Sequence, residues 1–296
     1  MELLKSIFKK TVDSLIFGSF FISFCAAALV LETYIQLGHK PLIDALVFFV
    51  FFSTLALYNF HRLMGIRRIR PEDLGVITGW AAKHQFTLLM LTIIGTGGAG
   101  FFVFQLLGNL PIILMLIPLA LISLFYELPI VKVQKRFQRL RNLWLSKAFL
   151  ITAVWVVTTA VLPALHIHYS VHSYNVLLIV TERMIFIFIL ALCFDARDIE
   201  FDLREKLRTI PMVFGNKVTR KLYYLSAALL CAVAVFHYNI ILHFHAMGIA
   251  MAASVLLTLL LVSNTQPRKS DYYYLFLVDG MMIVQFVLAL TAAYFP

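Results

Sequence analysis

Long apolar runs, each followed by a short polar break, organise this chain. Nine of them approach the roughly 20 residues that cross a bilayer's hydrocarbon core as a helix. They cover about 12–31, 41–60, 86–107, 110–126, 147–165, 174–194, 222–242, 244–263 and 273–294. The pattern predicts an all-α polytopic membrane bundle of about nine transmembrane helices, with residues 1–296 forming a single integral membrane domain. The breaks are unequal. Lys and Arg gather at the N-terminus and after every second run, so that 23 of the 25 lie on one side, and only Lys40 and Arg183 stand apart. The positive-inside rule then puts the N-terminus in the cytoplasm, the C-terminus outside, and the loops at about 61–85, 127–146 and 195–221 in the cytoplasm. The opposite side carries His39, His166, His168, His172, His237, His243 and His245. No cysteine or acid cluster accompanies them, so they do not read as a metal site.

Composition supports this class. The chain is 61% hydrophobic and 14% charged, with a mean hydropathy of +0.90, too apolar for a soluble domain of 296 residues. The net charge of +10 suggests nucleic acid, but the aromatics lie in the apolar runs and the cations in short loops, so membrane topology explains the basicity and no nucleic-acid partner is expected. Cys25, Cys193 and Cys231 sit in apolar runs without CxxC spacing and read as small core residues. The cationic start MELLKSIFKK leads into a span-length run with no small-residue cleavage site, and no transit peptide is apparent. A prokaryotic inner membrane is therefore the expected location. The stretch GTGGAG at Gly95–Gly100 fits GxGxxG, but no strand precedes it, so it reads as a place where helices approach closely.

The candidate chemistry lies after the sixth run. Asp195, Asp198, Glu200, Asp202 and Glu205 are five of only fifteen acids. If the segment stays helical, spacings of three and four put Asp195, Asp198 and Asp202 on one face. Carboxylates ~5–6 Å apart repel by about 3 kcal/mol at an effective dielectric near 20, so a cation is expected among them. Two readings stand: Mg²⁺ holding a diphosphate, or a solvated mixed-charge loop in which Glu200 pairs with Arg204 and Asp202 with Lys206. Inside the runs, Glu182 and Arg183 point about 100° apart on a helix and cannot simply neutralise each other. They and Asp279 call for partners on other helices.

The segment DARDIEFDLREKLRTIPMVFG resembles the second aspartate motif of the UbiA superfamily of intramembrane prenyltransferases, D-x-R-D-x-E-x-D followed by T-[LI]-P and a glycine. The matching positions are Asp195, Arg197, Asp198, Glu200, Asp202, Thr209, Pro211 and Gly215. FYELPIVKVQKR is similar to that superfamily's tyrosine–proline–basic loop through Tyr126, Pro129, Lys132, Lys135 and Arg136. The resemblance implies a helical bundle around a cavity open to lipid and transfer of an isoprenyl group from a prenyl diphosphate to a small acceptor, often aromatic. It implies Mg²⁺ on Asp198 and Asp202, helped by Asp195, with Tyr126 beside the reacting carbon. It implies diphosphate contacts from Asn59, Arg62, Arg67, Lys132, Lys135 and Arg136.

The first aspartate motif, N-D-x-x-D-x-x-x-D, departs from the pattern. In LYNFHRLMGIRR the asparagine is Asn59, but Phe60, Leu63 and Arg67 fill the aspartate positions, and the next acids are Glu72 and Asp73. Three readings stay open. Arg62, Arg67 and Arg68 meet the diphosphate directly; Glu72 or Asp73 folds back into the site; or prenyl transfer is lost and a non-catalytic protein that binds an isoprenoid or other lipid remains. A transporter using Glu182, Arg183 and Asp279 is a further class, without an internal repeat to support it.

Overall fold

The computed structural model describes residues 2–66, 75–129, 131–133, 136–142, 146–204, 207–265 and 269–295, with side chains described for all but 2–6, 131–133, 136–138, 142 and 146. In chain order the elements are α1 (Glu2–Phe17), α2 (Phe20–Gln36), α3 (Ala45–Ile66), α4 (Val76–Lys83), α5 (Gln85–Leu106), α6 (Leu110–Glu127), β1 (Val131–Val133), β2 (Arg136–Gln138), α7 (Ser146–Val156), α8 (Leu162–His166), α9 (Tyr174–Arg197), α10 (Ile199–Arg204), α11 (Ile210–Ala234), α12 (His245–Val262) and α13 (Asp279–Tyr294). Among the described residues eight helical segments are long and apolar enough to cross a membrane, and nine if the bent pair Ile7–Phe17 and Phe20–Gln36 counts as one. The fold is an all-helical polytopic bundle, with β1 and β2 as a three-residue antiparallel pair in one connection.

Burial orders the bundle. In the apolar 18-residue stretch of α9 67% of residues are buried, against 11% in those of α5 and α6, so α9 is the axis and α5 and α6 form an apolar flank. Phe86, Phe101, Phe104 and Leu110 stand exposed on that flank, which suits lipid as the solvent. α9 carries Ile185, Phe186, Ile189, Leu190 and Leu192 into a core shared with α2, α11, α12 and α13. Its charges find separate partners, as their angular separation requires. Arg183 pairs with Glu32 at 3.2 Å and donates to Leu29 O at 3.3 Å. Glu182 accepts from His237 Nδ1 at 2.8 Å and from the Tyr238 hydroxyl at 3.0 Å.

Three spans contain π-helical turns, at Val157–Val161, Val235–Ile241 and Tyr273–Val278. A π turn frees a carbonyl from the helical ladder. In the first, Thr159 O accepts from Thr33 Oγ1 at 2.6 Å, and the second presents His237 and Tyr238 to Glu182. At the far end of the bundle Asp44 caps α3, accepting from Val47 N at 3.0 Å, and it also meets Tyr34 and His166. Burial alone would raise the Asp44 carboxyl, but those hydrogen bonds hold it below the usual range.

Several boundaries differ from the apolar pattern. The first span begins as α1 and bends by 55° at Gly18–Ser19, where Ser19 adopts a left-handed φ of 64°. Much of 195–221 is helical, because α10 follows α9 directly and α11 starts at Ile210, about three turns before the apolar run. The motif residues account for that start: Thr209 is the extended N-cap, Pro211 lies in the first turn, where an N–H is not needed, and Gly215 breaks the helix at φ 75°. The connection 61–85 likewise contains α4, whose first turn is tied to Asp271 by Ile77 N at 3.3 Å.

The Gly95–Gly100 stretch packs α5 onto α3. A Cβ on Gly95 would lie 2.7 Å from Ala56 N and 2.9 Å from Phe52 O, while Gly97 and Gly100 have nothing within 4 Å. Gly95→Val should therefore lower thermal stability in detergent by about 1–3 kcal/mol through overpacking. Gly97→Ala should stay within about 0.5 kcal/mol of wild type. Equal melting of the two variants would show that this contact does not hold the helices together.

Candidate functional site

α9 ends in a near-continuous turn into α10, with Asp202 N bonded to Asp198 O at 2.8 Å. That continuity keeps Asp195, Asp198 and Asp202 on one face, as their spacing requires. The face meets Lys147, which sits in the first turn of α7, 51 residues before Asp198 in sequence. Its ammonium lies 3.2 Å from Asp195 Oδ1, 3.3 Å from Asp198 Oδ2, and 3.2 and 3.0 Å from the two oxygens of Asp202. Lys147, Asp195 and Asp202 are all buried. Each contact at this range is worth roughly 5 kcal/mol at an effective dielectric near 20, which outweighs the roughly 3 kcal/mol repulsion per carboxylate pair.

A second cation closes the other side. Arg197 Nε donates to Asp198 Oδ1 at 2.7 Å, and its guanidinium lies over Phe194 at 4.8 Å and Tyr274 at 5.3 Å. Burial would push the Asp198 carboxyl up, but Arg197 and Lys147 outweigh it and hold it at about 2. Asp202 shifts the other way. Burial raises it, Lys147 offsets only part of that, and the Asp198 charge adds to the rise.

The model of the UbiA prenyltransferase family matches residues 81–279, about two-thirds of the chain. The chain belongs to the UbiA prenyltransferase family. No curated protein and no solved structure matches it.

Members of the UbiA family generally use Mg²⁺. Magnesium takes oxygens at about 2.0–2.1 Å in near-octahedral geometry, whereas these carboxylates stand 3.0–3.3 Å around an ammonium nitrogen. The second half of the family's carboxylate set is missing too, since Phe60 and Leu63 occupy its positions on α3. As arranged, the residues do not fit a magnesium ion. The cation demanded by the like charges is a lysine from the same chain. A Mg²⁺ ion on Asp198, Asp202 and Asp195 would have to share or displace the oxygens that here surround Lys147.

The other UbiA motif positions divide. Asn59 is buried and its amide is engaged, donating to Gly18 O at 3.0 Å and Leu55 O at 2.8 Å while Ser19 Oγ donates to its Oδ1 at 3.4 Å. Through these hydrogen bonds it braces the α1–α2 bend. Arg62 lies within electrostatic reach of Arg197 and Asp271, and its Nη1 is buried without a hydrogen-bond partner among the described residues, as is Nη1 of Arg197. Tyr126 is an electrostatic neighbour of Lys147 and Asp195, and its ring lies 5.6 Å from that of His61. Arg67, Arg68, Lys135, Glu72 and Asp73 lie outside the described residues; Lys132 and Arg136 are on β1 and β2 with side chains outside the described ones. Glu127, at the end of α6, instead gathers Arg141 at 2.9 Å and Arg139 at 3.4 Å.

Sequence reasoning missed Lys147 and the pairing of Arg197. Lys147 counted only as one of the loop cations that orient the chain. Its one signal was its place at the mouth of an apolar run, facing an acidic face with unmet charge.

Two tests follow. Lys147→Met leaves two buried carboxylates and the half-buried Asp198 without their shared cation and should cost about 3–5 kcal/mol, read as a lower melting temperature in nanodiscs. A loss below 1 kcal/mol would mean the carboxylates find another partner, since truncating one member of a buried pair normally costs several times ~1 kcal/mol. The Asp198 contribution is present above its ordinary 3.8 and lost as pH falls through about 2. Asp198→Asn should therefore weaken the acid sensitivity of melting in that window, and unchanged sensitivity would count against the paired carboxylate.

Proposed function

We propose that the chain is an intramembrane transferase that moves an isoprenyl group from a prenyl diphosphate to a small acceptor, aromatic or quinone-precursor in kind. Family membership supports the reaction class. The observation that carries it for this chain is a pair of neighbouring guanidiniums, Arg62 and Arg197, each with a buried N–H that has no partner among the described residues, beside the Lys147–carboxylate cluster. Planar guanidinium donors suit phosphate oxygens.

In the proposed step the allylic C–O bond breaks and its electron pair leaves with the diphosphate. The acceptor's electrons form the new bond to the allylic carbon, and the acceptor gives up a proton. Arg62 and Arg197 take the charge developing on the leaving oxygen. Tyr126 offers a π face to the positive carbon. The gathering of 23 of 25 cations on one side supports a cytoplasmic N-terminus and a site opening to the cytoplasmic face of a prokaryotic inner membrane.

A second reading is favoured by Phe60, Leu63 and the engaged Asn59: a protein that binds an isoprenoid or other lipid without reacting. Labelled prenyl diphosphate added to full-length protein in nanodiscs with a panel of aromatic acceptors separates the two. Transfer should release pyrophosphate, and Arg62→Ala or Arg197→Ala should reduce turnover about 10²-fold or more, as for loss of a group that stabilises the transition state. Prenyl alcohol and prenyl diphosphate binding equally, with no pyrophosphate released, would support the lipid binder instead.

A further inference from the structure

We propose that Lys147 is the resident cation of the carboxylate cluster and bars a divalent metal from it, so that this chain has exchanged a metal-dependent anion site for one built on its own ammonium and guanidinium groups. Three observations carry this. Of the six oxygens on Asp195, Asp198 and Asp202, four contact the Lys147 ammonium and a fifth accepts from Arg197 Nε. A metal would have to strip those oxygens from a buried ammonium that is hydrogen-bonded to Asp198 and Asp202. Secondly, on α3, where the partner carboxylates of a two-part metal site would stand, the chain presents Phe60 and Leu63. Thirdly, Arg62 Nη1 and Arg197 Nη1 are buried without hydrogen-bond partners among the described residues, so donors for an anion exist without a bridging ion.

The loss on α3 and the occupancy by Lys147 agree in direction. Among the described residues the three carboxylates lie on one helix face, so a dication there would have to complete its shell with water. Those three still need neutralising, and a lysine at the start of α7 does so without depending on metal supply. The inference concerns the same cluster as the proposed transfer but does not rest on transfer, because metal binding is read without any prenyl substrate.

Mn²⁺ is the probe, followed by electron paramagnetic resonance on EDTA-stripped, full-length protein in nanodiscs. Wild type should leave the free Mn²⁺ spectrum unchanged. Lys147→Ala should gain a site that binds Mn²⁺ about tenfold or more tighter than wild type, and Asp198→Asn in that background should remove it. Melting gives a second readout, since Mn²⁺ should raise the melting temperature of Lys147→Ala and not of wild type. A variant recovered only when Mn²⁺ is present counts for the proposal. Mn²⁺ uptake by wild type that Asp198→Asn abolishes would overturn it. So would a Lys147→Ala or Lys147→Met protein that gains no site, or that cannot be recovered with or without the metal.

Discussion

One buried ammonium among three carboxylates, two of them buried, holds the working end of this bundle together. Lys147 joins the start of α7 to the end of α9 and to α10, so a single charge sets how the fifth and sixth spans meet. Without it the acidic face would carry repulsions of several kcal/mol in a place that water reaches poorly. With it, Asp195 and Asp202 can remain buried, and Asp198 is left to organise Arg197 against Phe194 and Tyr274. The positions of the site residues therefore follow from charge neutralisation first and from helix geometry second.

The same rule governs the membrane interior. Glu32 with Arg183, and Glu182 with His237 and Tyr238, place the two charges of α9 on partners from other helical segments. These contacts link α2 and the π turn after α11 to the axial helix α9. The π turns belong to this scheme, because an interrupted ladder supplies a carbonyl or re-aims a side chain where a regular helix would bury both. Apolar packing supplies the bulk of the contact area, and the polar pairs set its register.

Belonging to the UbiA family and departing from its first aspartate motif are two facts with one structural expression. Asn59 remains but serves the bend between α1 and α2, and the Phe60 and Leu63 positions add no charge. Thr209, Pro211 and Gly215, which read as part of a chemical signature, shape the start of α11. Motif residues can thus shape the fold as well as carry chemistry, and each has to be assigned by what it touches.

Read alone, the amino-acid sequence determined the helical class, the approximate spans, the sidedness of the cations and the shared face of Asp195, Asp198 and Asp202. Each of these follows from local periodicity or from counting charges along the chain. The close approach at Gly95 was legible for the same reason, since a cluster of small residues in an apolar run has few other uses. Only the tertiary structure decided which cation answers the aspartates, that Asn59 braces a bend, that α11 begins at Ile210, and that Glu182 and Arg183 turn to different helices. Those depend on which helix ends meet in space. A charge buried in a bundle takes the nearest partner of opposite sign, and nearness across 48 to 55 residues of chain is a property of packing, not of spacing.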